Sequence, residues 1–228
     1  MLCLTDLAAI VAEHAIDLDP ELHHFDIDGD LRFPFREPRV MGVINLSADS
    51  WYRESICTTV DSAVERGLEL RDQGASIVDI GAESTLDQSQ RVSVTDQQRL
   101  LLPVISQLVS EGITISVETY NATVAEACLE AGVKLLNLTG SANSEQVYRL
   151  AAEHNAAVII CYVAGDNVRD VVDIPLDDDP IPRMIEYFAT QIELAKSCGL
   201  ANGFLDPGLG FYYRNLQDSS VRIRHQMK

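Results

Sequence analysis

The apolar runs in this chain end, one after another, on a carboxamide or a carboxylate. Met41-Gly42-Val43-Ile44 runs into Asn45, and Ser76-Ile77-Val78 runs into Asp79, with Glu83-Ser84-Thr85 just beyond. Ile113-Thr114-Ile115-Ser116-Val117 reaches Glu118, Val133-Lys134-Leu135-Leu136 reaches Asn137, and Gly203-Phe204-Leu205 reaches Asp206. Stretches with helical spacing lie between the runs, so the strands are expected to be parallel and joined by right-handed crossovers. Such strands gather their C-terminal ends on one rim, where loops vary while the packed core stays fixed. A core has no use for a ring of Asn, Asp and Glu. It points to a small polar ligand rich in hydrogen-bond donors.

Six strands are expected, near 41–45, 76–80, 113–118, 133–137, 156–161 and 203–205. The fold class is α/β, a TIM-type (β/α) barrel of parallel strands with about six of its eight units present. Residues 1–39 read as an N-terminal extension packing on the barrel, and residues 40–228 as the barrel lacking its last two units. In the extension, residues 2–15 have helical spacing. Asp26-Ile27-Asp28-Gly29-Asp30 reads as a hairpin turn into Leu31-Arg32-Phe33. Residues 58–73 form a helix that Gly74 closes, and Asn121 caps a helix that Gly132 stops. Thr95 with Gln98 predicts a capping box, and Pro103 predicts a kink or break in the same helix. Ser144 is expected to cap residues 145–154, and Asp179-Pro180 to open a helix ending at Gly199.

Composition removes several function classes. The chain has 228 residues and a formal net charge of −18, from 17 Lys+Arg against 35 Asp+Glu. That sign opposes phosphate backbones and anionic lipid, so neither nucleic acid nor membrane is an expected partner. No apolar stretch approaches a membrane span, and no basic region precedes an apolar block at the N-terminus; a cytoplasmic location is expected. The five cysteines are scattered without a C-x-x-C spacing, which argues against zinc and against a disulfide framework. Cys161, closing an apolar run, reads as a small core filler that has the option of facing the rim.

Four segments carry a family resemblance. Met41-Gly42-Val43-Ile44-Asn45-Leu46-Ser47-Ala48-Asp49-Ser50-Trp51 is close to a G-x-x-N-x-T-P-D-S-F pattern, and Asp79-Ile80-Gly81-Ala82-Glu83-Ser84-Thr85 to D-I-G-G-E-S-T-R-P. Ile115-Ser116-Val117-Glu118-Thr119, continuing to Leu136-Asn137, is close to I-S-V-D-T and I-I-N-D. Asp206-Pro207-Gly208-Leu209-Gly210-Phe211 is close to D-P-G-x-G-F. Together, over residues 40 to about 215, they resemble the dihydropteroate synthases, pterin-binding (β/α) barrels of folate biosynthesis that condense a dihydropterin pyrophosphate with para-aminobenzoate. The resemblance implies that Asp206 holds the N–H and amino edge of the pterin, that Asn137 offers a mixed donor and acceptor, and that Glu118 meets another ring nitrogen. It implies a Mg²⁺ on Asn45 holding the departing pyrophosphate, and it places Thr85 and Ser84 on the phosphate side. Asp79 reads instead as structural, tying its strand end to neighbouring backbone.

The departures lie on the reaction side. The family's Thr-Pro is Ser47-Ala48, its Arg-Pro after the second motif is Leu86-Asp87, and its third-strand Asp is the longer Glu118. Asn137 is followed by Leu138, the fifth strand ends in Cys161-Tyr162-Val163, and Tyr212-Tyr213 replaces a Gly-Lys. The later Ser-Arg-Lys and Arg-x-His segments have no counterpart. Three readings therefore stand: a dihydropteroate synthase-like transferase, a catalytically impaired pterin-binding or regulatory protein, and a folate-dependent methyltransferase, which shares the barrel but usually shows a different first-strand motif. A homo-oligomer is a further expectation, because two missing units would leave strand edges open.

Overall fold

The structure is a computed structural model, and it describes residues 8, 12, 25–27, 31–33, 38–47, 53–84, 89–170, 173, 181–209, 211 and 213–215. The chain divides into two units, residues 1–37 and 38–228. In the first, β1 (Phe25–Ile27) pairs antiparallel with β2 (Leu31–Phe33), the hairpin that the Asp-rich segment predicts. Phe25 stacks on Phe33 across it, ring centroids 5.2 Å apart. Of the stretch with helical spacing at the N-terminus, only Ala8 and Ala12 are described, and both are helical.

The second unit carries a sheet of six parallel strands in sequential order: β3 (Val40–Asn45), β4 (Ala75–Gly81), β5 (Ile115–Thr119), β6 (Leu135–Leu138), β7 (Ala157–Cys161) and β8 (Gly203–Asp206). Among the described residues β3 and β8 are the outer strands, and they do not pair with each other. Five helices fill the connections: α1 (Val60–Asp72), α2 (Val94–Ser110), α3 (Ala122–Glu130), α4 (Ser144–Glu153) and α5 (Ile181–Ser197). Their ends follow local chemistry. Thr59 and Ser62 form a reciprocal capping box on α1, and Asn121 Oδ1 accepts from the N–H groups of Thr123 and Val124 on α3. Gly74 and Gly132 leave their helices at φ +99° and +101°, conformations that favour glycine.

Three local expectations are corrected. The cap of α2 is Ser93, whose Oγ accepts from Asp96 N, so the capping box read at Thr95 and Gln98 lies inside the helix. Of the kink or break read at Pro103, the break does not occur: α2 continues through it. Pro103 and Arg99, the residue whose carbonyl the proline leaves without a helical donor, are both exposed, so water can satisfy that carbonyl. Ser144 is the first residue of α4 and Asn143 its cap, without a side-chain capping bond. The Asp179-Pro180 start lies outside the described residues, while α5 ends before Gly199 as read.

Side chains alternate cleanly across the sheet. Ile44, Ile80, Val117, Leu136 and Ile160 face the helices and are essentially inaccessible, packed with Leu101, Ile105, Leu108, Val124 and Val147. The parallel register places Asn45 beside Gly81, Gly81 beside Glu118, and Glu118 beside Asn137. These residues therefore share the opposite face, at one level. Two residues earlier, Val43, Asp79 and Ser116 make the level below, and two residues later Cys161 and Asp206 pair on the level above. The expected rim is thus a set of stacked layers.

Helices α4 and α5 are joined through a buried polar pair: Tyr148 Oη donates to Gln191 Oε1 at 2.8 Å, and Tyr148 is fully enclosed. Tyr148→Phe keeps the ring and strands the Gln191 oxygen. Chemical denaturation should show a loss of about 1–3 kcal/mol, the cost of an unsatisfied buried acceptor; an unchanged midpoint would mean that water reaches Gln191.

Candidate functional site

The strand ends are wired to one another through side chains. Ser116 Oγ donates to Asp79 Oδ1 (2.5 Å), and Asn137 Nδ2 donates to Asp79 Oδ2 (3.1 Å). On the far side of the amide, Cys161 Sγ donates to Asn137 Oδ1 (3.2 Å) and lies 3.6 Å from Asp206 Oδ2. Asp206 Oδ1 accepts from Gly208 N (2.8 Å), closing the Asp-Pro-Gly turn, with Gly208 at φ +71°. A row of polar atoms thus crosses β5, β4, β6, β7 and β8. It brings Asn137 and Asp206 together as expected. It also corrects two readings: Asp79 is tied to side chains of the site and not to backbone, and Cys161, although buried, sits among polar partners between the two acceptors.

Asn45 and Glu118 meet at a second point. Asn45 Nδ2 donates to Ser55 Oγ at 2.6 Å, so its Oδ1 faces the other way. A Cβ built on Gly81 would lie 3.2 Å from Glu118 Oε2 and 3.5 Å from Asn45 Oδ1. The missing side chain of Gly81 is therefore the space in which these two oxygens converge. Burial, with the charges of Asp79 and Glu83 nearby, raises the Glu118 carboxyl from 4.5 to about 8. Near neutral pH this group is largely protonated, able both to donate and to accept. An amide oxygen of fixed orientation is a hard ligand that Mg²⁺ accepts alongside phosphate oxygens, so Asn45 fits the ion that the resemblance implies. Among the described residues no group of three or more His, Cys, Asp and Glu forms a metal cage.

The loops beyond β4, β5, β6 and β7 are stitched into a collar. Glu83 accepts from Val92 N (2.8 Å) and from the Tyr120 hydroxyl, which is pushed up to about 12 by burial and by Glu83. Arg91 donates to Tyr120 Oη (3.1 Å) and pairs with Asp170 (2.7 Å). Arg169, buried, donates to the carbonyls of Ser84 (2.7 Å) and Ser89 (2.5 Å). Val168 N donates to Thr139 O, and Ser141 N to Asp166 O. Glu83, Ser84, Glu118, Tyr120, Thr139 and Arg169 line a shallow, narrow hollow among these loops. Ser84 is thus buried in this collar, its Oγ accepting from Ser89 Oγ, while Thr85 lies outside the described residues.

Sequence reasoning missed Arg169, Tyr120, Arg91 and Ser116. The three collar residues lie in loops with no periodic pattern, and Ser116 reads as one polar residue within an apolar run. Only its two-residue offset from Glu118 marked it as facing the same side.

The fold and these side chains have known counterparts. The family model described as "Pterin binding enzyme" matches residues 41–227. The dihydropteroate synthase of Bacillus subtilis is 30% identical over 214 residues, covering 90% of this chain and 71% of the relative. That of Staphylococcus haemolyticus is 29% identical over 189 residues, covering 82% and 68%. Among solved structures, Yersinia pestis dihydropteroate synthase in a sulfonamide drug complex superposes with a TM-score of 0.72 at 25% identity, covering 90% of this chain and 76% of that one. The Xanthomonas albilineans enzyme with 4-aminobenzoic acid gives 0.71 at 28%, covering 88% and 71%. The match thus runs across nearly all of the six-stranded unit, and the chain belongs to the pterin-binding enzyme family, among the dihydropteroate synthases of folate biosynthesis.

Proposed function

We propose that this chain binds a dihydropterin pyrophosphate on the rim formed by Glu118, Asn137 and Asp206 and serves its condensation with para-aminobenzoate. The observation that carries this reading is the row Asp79–Asn137–Cys161–Asp206, which holds two strong acceptors side by side at the strand ends. A pterin edge offers an N–H and an amino group, the donors that such acceptors take. Asp206 would accept both, Asn137 Oδ1 the second amino hydrogen, and the protonated Glu118 would serve a further ring nitrogen. In the reaction the aromatic amine attacks the exocyclic methylene carbon, the carbon–oxygen bond to pyrophosphate breaks, and the amine loses a proton. Asn45 Oδ1 would hold Mg²⁺, which supplies charge neutralisation to the departing group when bound. Ser84 and Thr85 would stand on the phosphate side.

One observation favours the second reading, a pterin-binding protein with weak or no condensation activity. The described cations nearest Ser84 are spent on the protein: Arg169 on two carbonyls and Arg91 on Asp170. Pyrophosphate leaving beside Glu83 would then meet little positive charge from the described residues. The location follows the first reading and is taken as cytoplasmic; among the described residues no helix is long and apolar enough to cross a membrane. The homo-oligomer rests on β3 and β8, whose Val40 and Leu205 are 60% and 50% exposed on outer strands. Sedimentation should show self-association that lysine at both positions weakens; a monodisperse monomer would remove that part of the proposal.

Two variants separate ligand holding from metal holding. Asp206→Asn turns an acceptor into a donor facing the ligand's own donors and should cost about 2–4 kcal/mol of pterin affinity. Asn45→Ala should weaken Mg²⁺-dependent binding of the pyrophosphate form and spare the bare pterin. Calorimetry with both ligands, followed by an assay for pteroate formation, tests the pair. Equal losses on Asn45→Ala, or none on Asp206→Asn, would overturn the assigned roles.

Glu118 also makes a prediction about pH. Its folded value of about 8 lies above its ordinary 4.5, so its stabilising, neutral form is fully present below about pH 4.5 and is lost as pH rises through about 8. Wild-type stability should therefore fall relative to Glu118→Gln across that window, by at most roughly 1.4 kcal/mol per pH unit. Parallel pH profiles of the two proteins would show that Glu118 ionises normally.

A further inference from the structure

We infer that Asp79 is a positioning residue: its carboxylate locks the Asn137 amide with Nδ2 turned inward, so that Oδ1 is presented beside Asp206 as a second acceptor for the ligand's amino group. The inference rests on the ligand reading above and adds a residue that need not touch the ligand.

Asp79 is 4% exposed, one level below Asn137 on the inner face, and both of its oxygens are occupied, one by Ser116 Oγ and one by Asn137 Nδ2. Burial raises the Asp79 carboxyl above its ordinary 3.8, the donors Ser116 and Asn137 favour its ionised form against that rise, and no described cation offsets its charge. A buried carboxylate with no counter-ion is expensive, and a neutral residue would serve packing better. What the carboxylate supplies is direction. An asparagine amide has two orientations of nearly identical shape, which only its partners distinguish. An ionised carboxylate accepts and never donates, so the amide must turn its nitrogen towards Asp79 and its oxygen away.

The oxygen then lies 3.2 Å from the Cys161 thiol, which also lies 3.6 Å from Asp206 Oδ2. One small donor thus spans both acceptors. The thiol is a weak donor, and an amino group with two hydrogens is a stronger occupant of the same pair. With the amide reversed, Asn137 would present a donor to a donor, and the pocket would lose its preference for an amino-bearing ring.

The test compares a pterin with its deaminated analogue, lumazine, in which an oxo group replaces the 2-amino group, on the full chain. Wild type should prefer the pterin. Asp79→Leu should lower pterin affinity by about 10- to 100-fold while changing lumazine affinity little, so that discrimination collapses. Asp79→Asn, whose amide can turn either its oxygen or its nitrogen to Asn137 while the Ser116 hydroxyl adapts to both, should recover only part of the preference. A purely structural role would lower both affinities together, in step with the melting temperature, and would overturn the inference. Side-chain amide NMR of Asn137 needs no ligand and guards against failure of the binding reading. Wild type should show one slowly exchanging, strongly bonded amide, and Asp79→Leu an averaged one. If wild type binds neither ring, the functional reading falls, and an Asn137 amide signal that is the same in wild type and variant overturns the lock as well.

Discussion

Parallel strand register is the constraint on which the rest of this molecule depends. Because Asn45, Gly81, Glu118 and Asn137 are neighbours across the sheet, two carboxamides, a carboxyl and a glycine gap occupy one level of one face. A shift of one residue in any strand would turn its member of that level into the helix-packed core and bring an Ile, Val or Leu to the site. The shift is opposed by the other face, where Ile44, Ile80, Val117 and Leu136 are essentially inaccessible. Apolar burial against the helices thus holds the polar level in place from behind.

Within that frame the electrostatics are those of an acidic pocket. Burial, with the charges of Asp79 and Glu83 nearby, leaves Glu118 holding its proton to about pH 8. The remaining acids are served by donors more than by cations: Asp79 by Ser116 and Asn137, Glu83 by Val92 N and Tyr120, Asp206 by Gly208 N. The two arginines of the collar tie loops together. Among the described residues, then, the rim presents acceptors met by neutral donors.

Much of this was legible in the chain. The six strands, their parallel order and the polar residues at their ends follow from alternating apolar runs and helical stretches, and Asn45, Glu118, Asn137 and Asp206 all stand where those runs end. Local capping was read less well. Ser93, and not Thr95, caps α2, because the Ser93 hydroxyl is the one that reaches a free N–H, that of Asp96. Pro103 sits in an unbroken helix because the lost bond falls on an exposed face.

By itself, then, the sequence determined the strands, their order and the identity of the polar residues at their ends, since side-chain periodicity and turn chemistry are local properties. Only the tertiary structure decided how those residues are connected. Ser116 meets Asp79 across 37 positions, and Asn137 meets Asp79 across 58. Arg169 reaches Ser84 across 85 positions. No local pattern encodes such pairings, because they arise where separate strands and loops converge on one rim. The direction of the Asn137 amide, the proton on Glu118 and the burial of Cys161 between two acceptors are all consequences of that convergence.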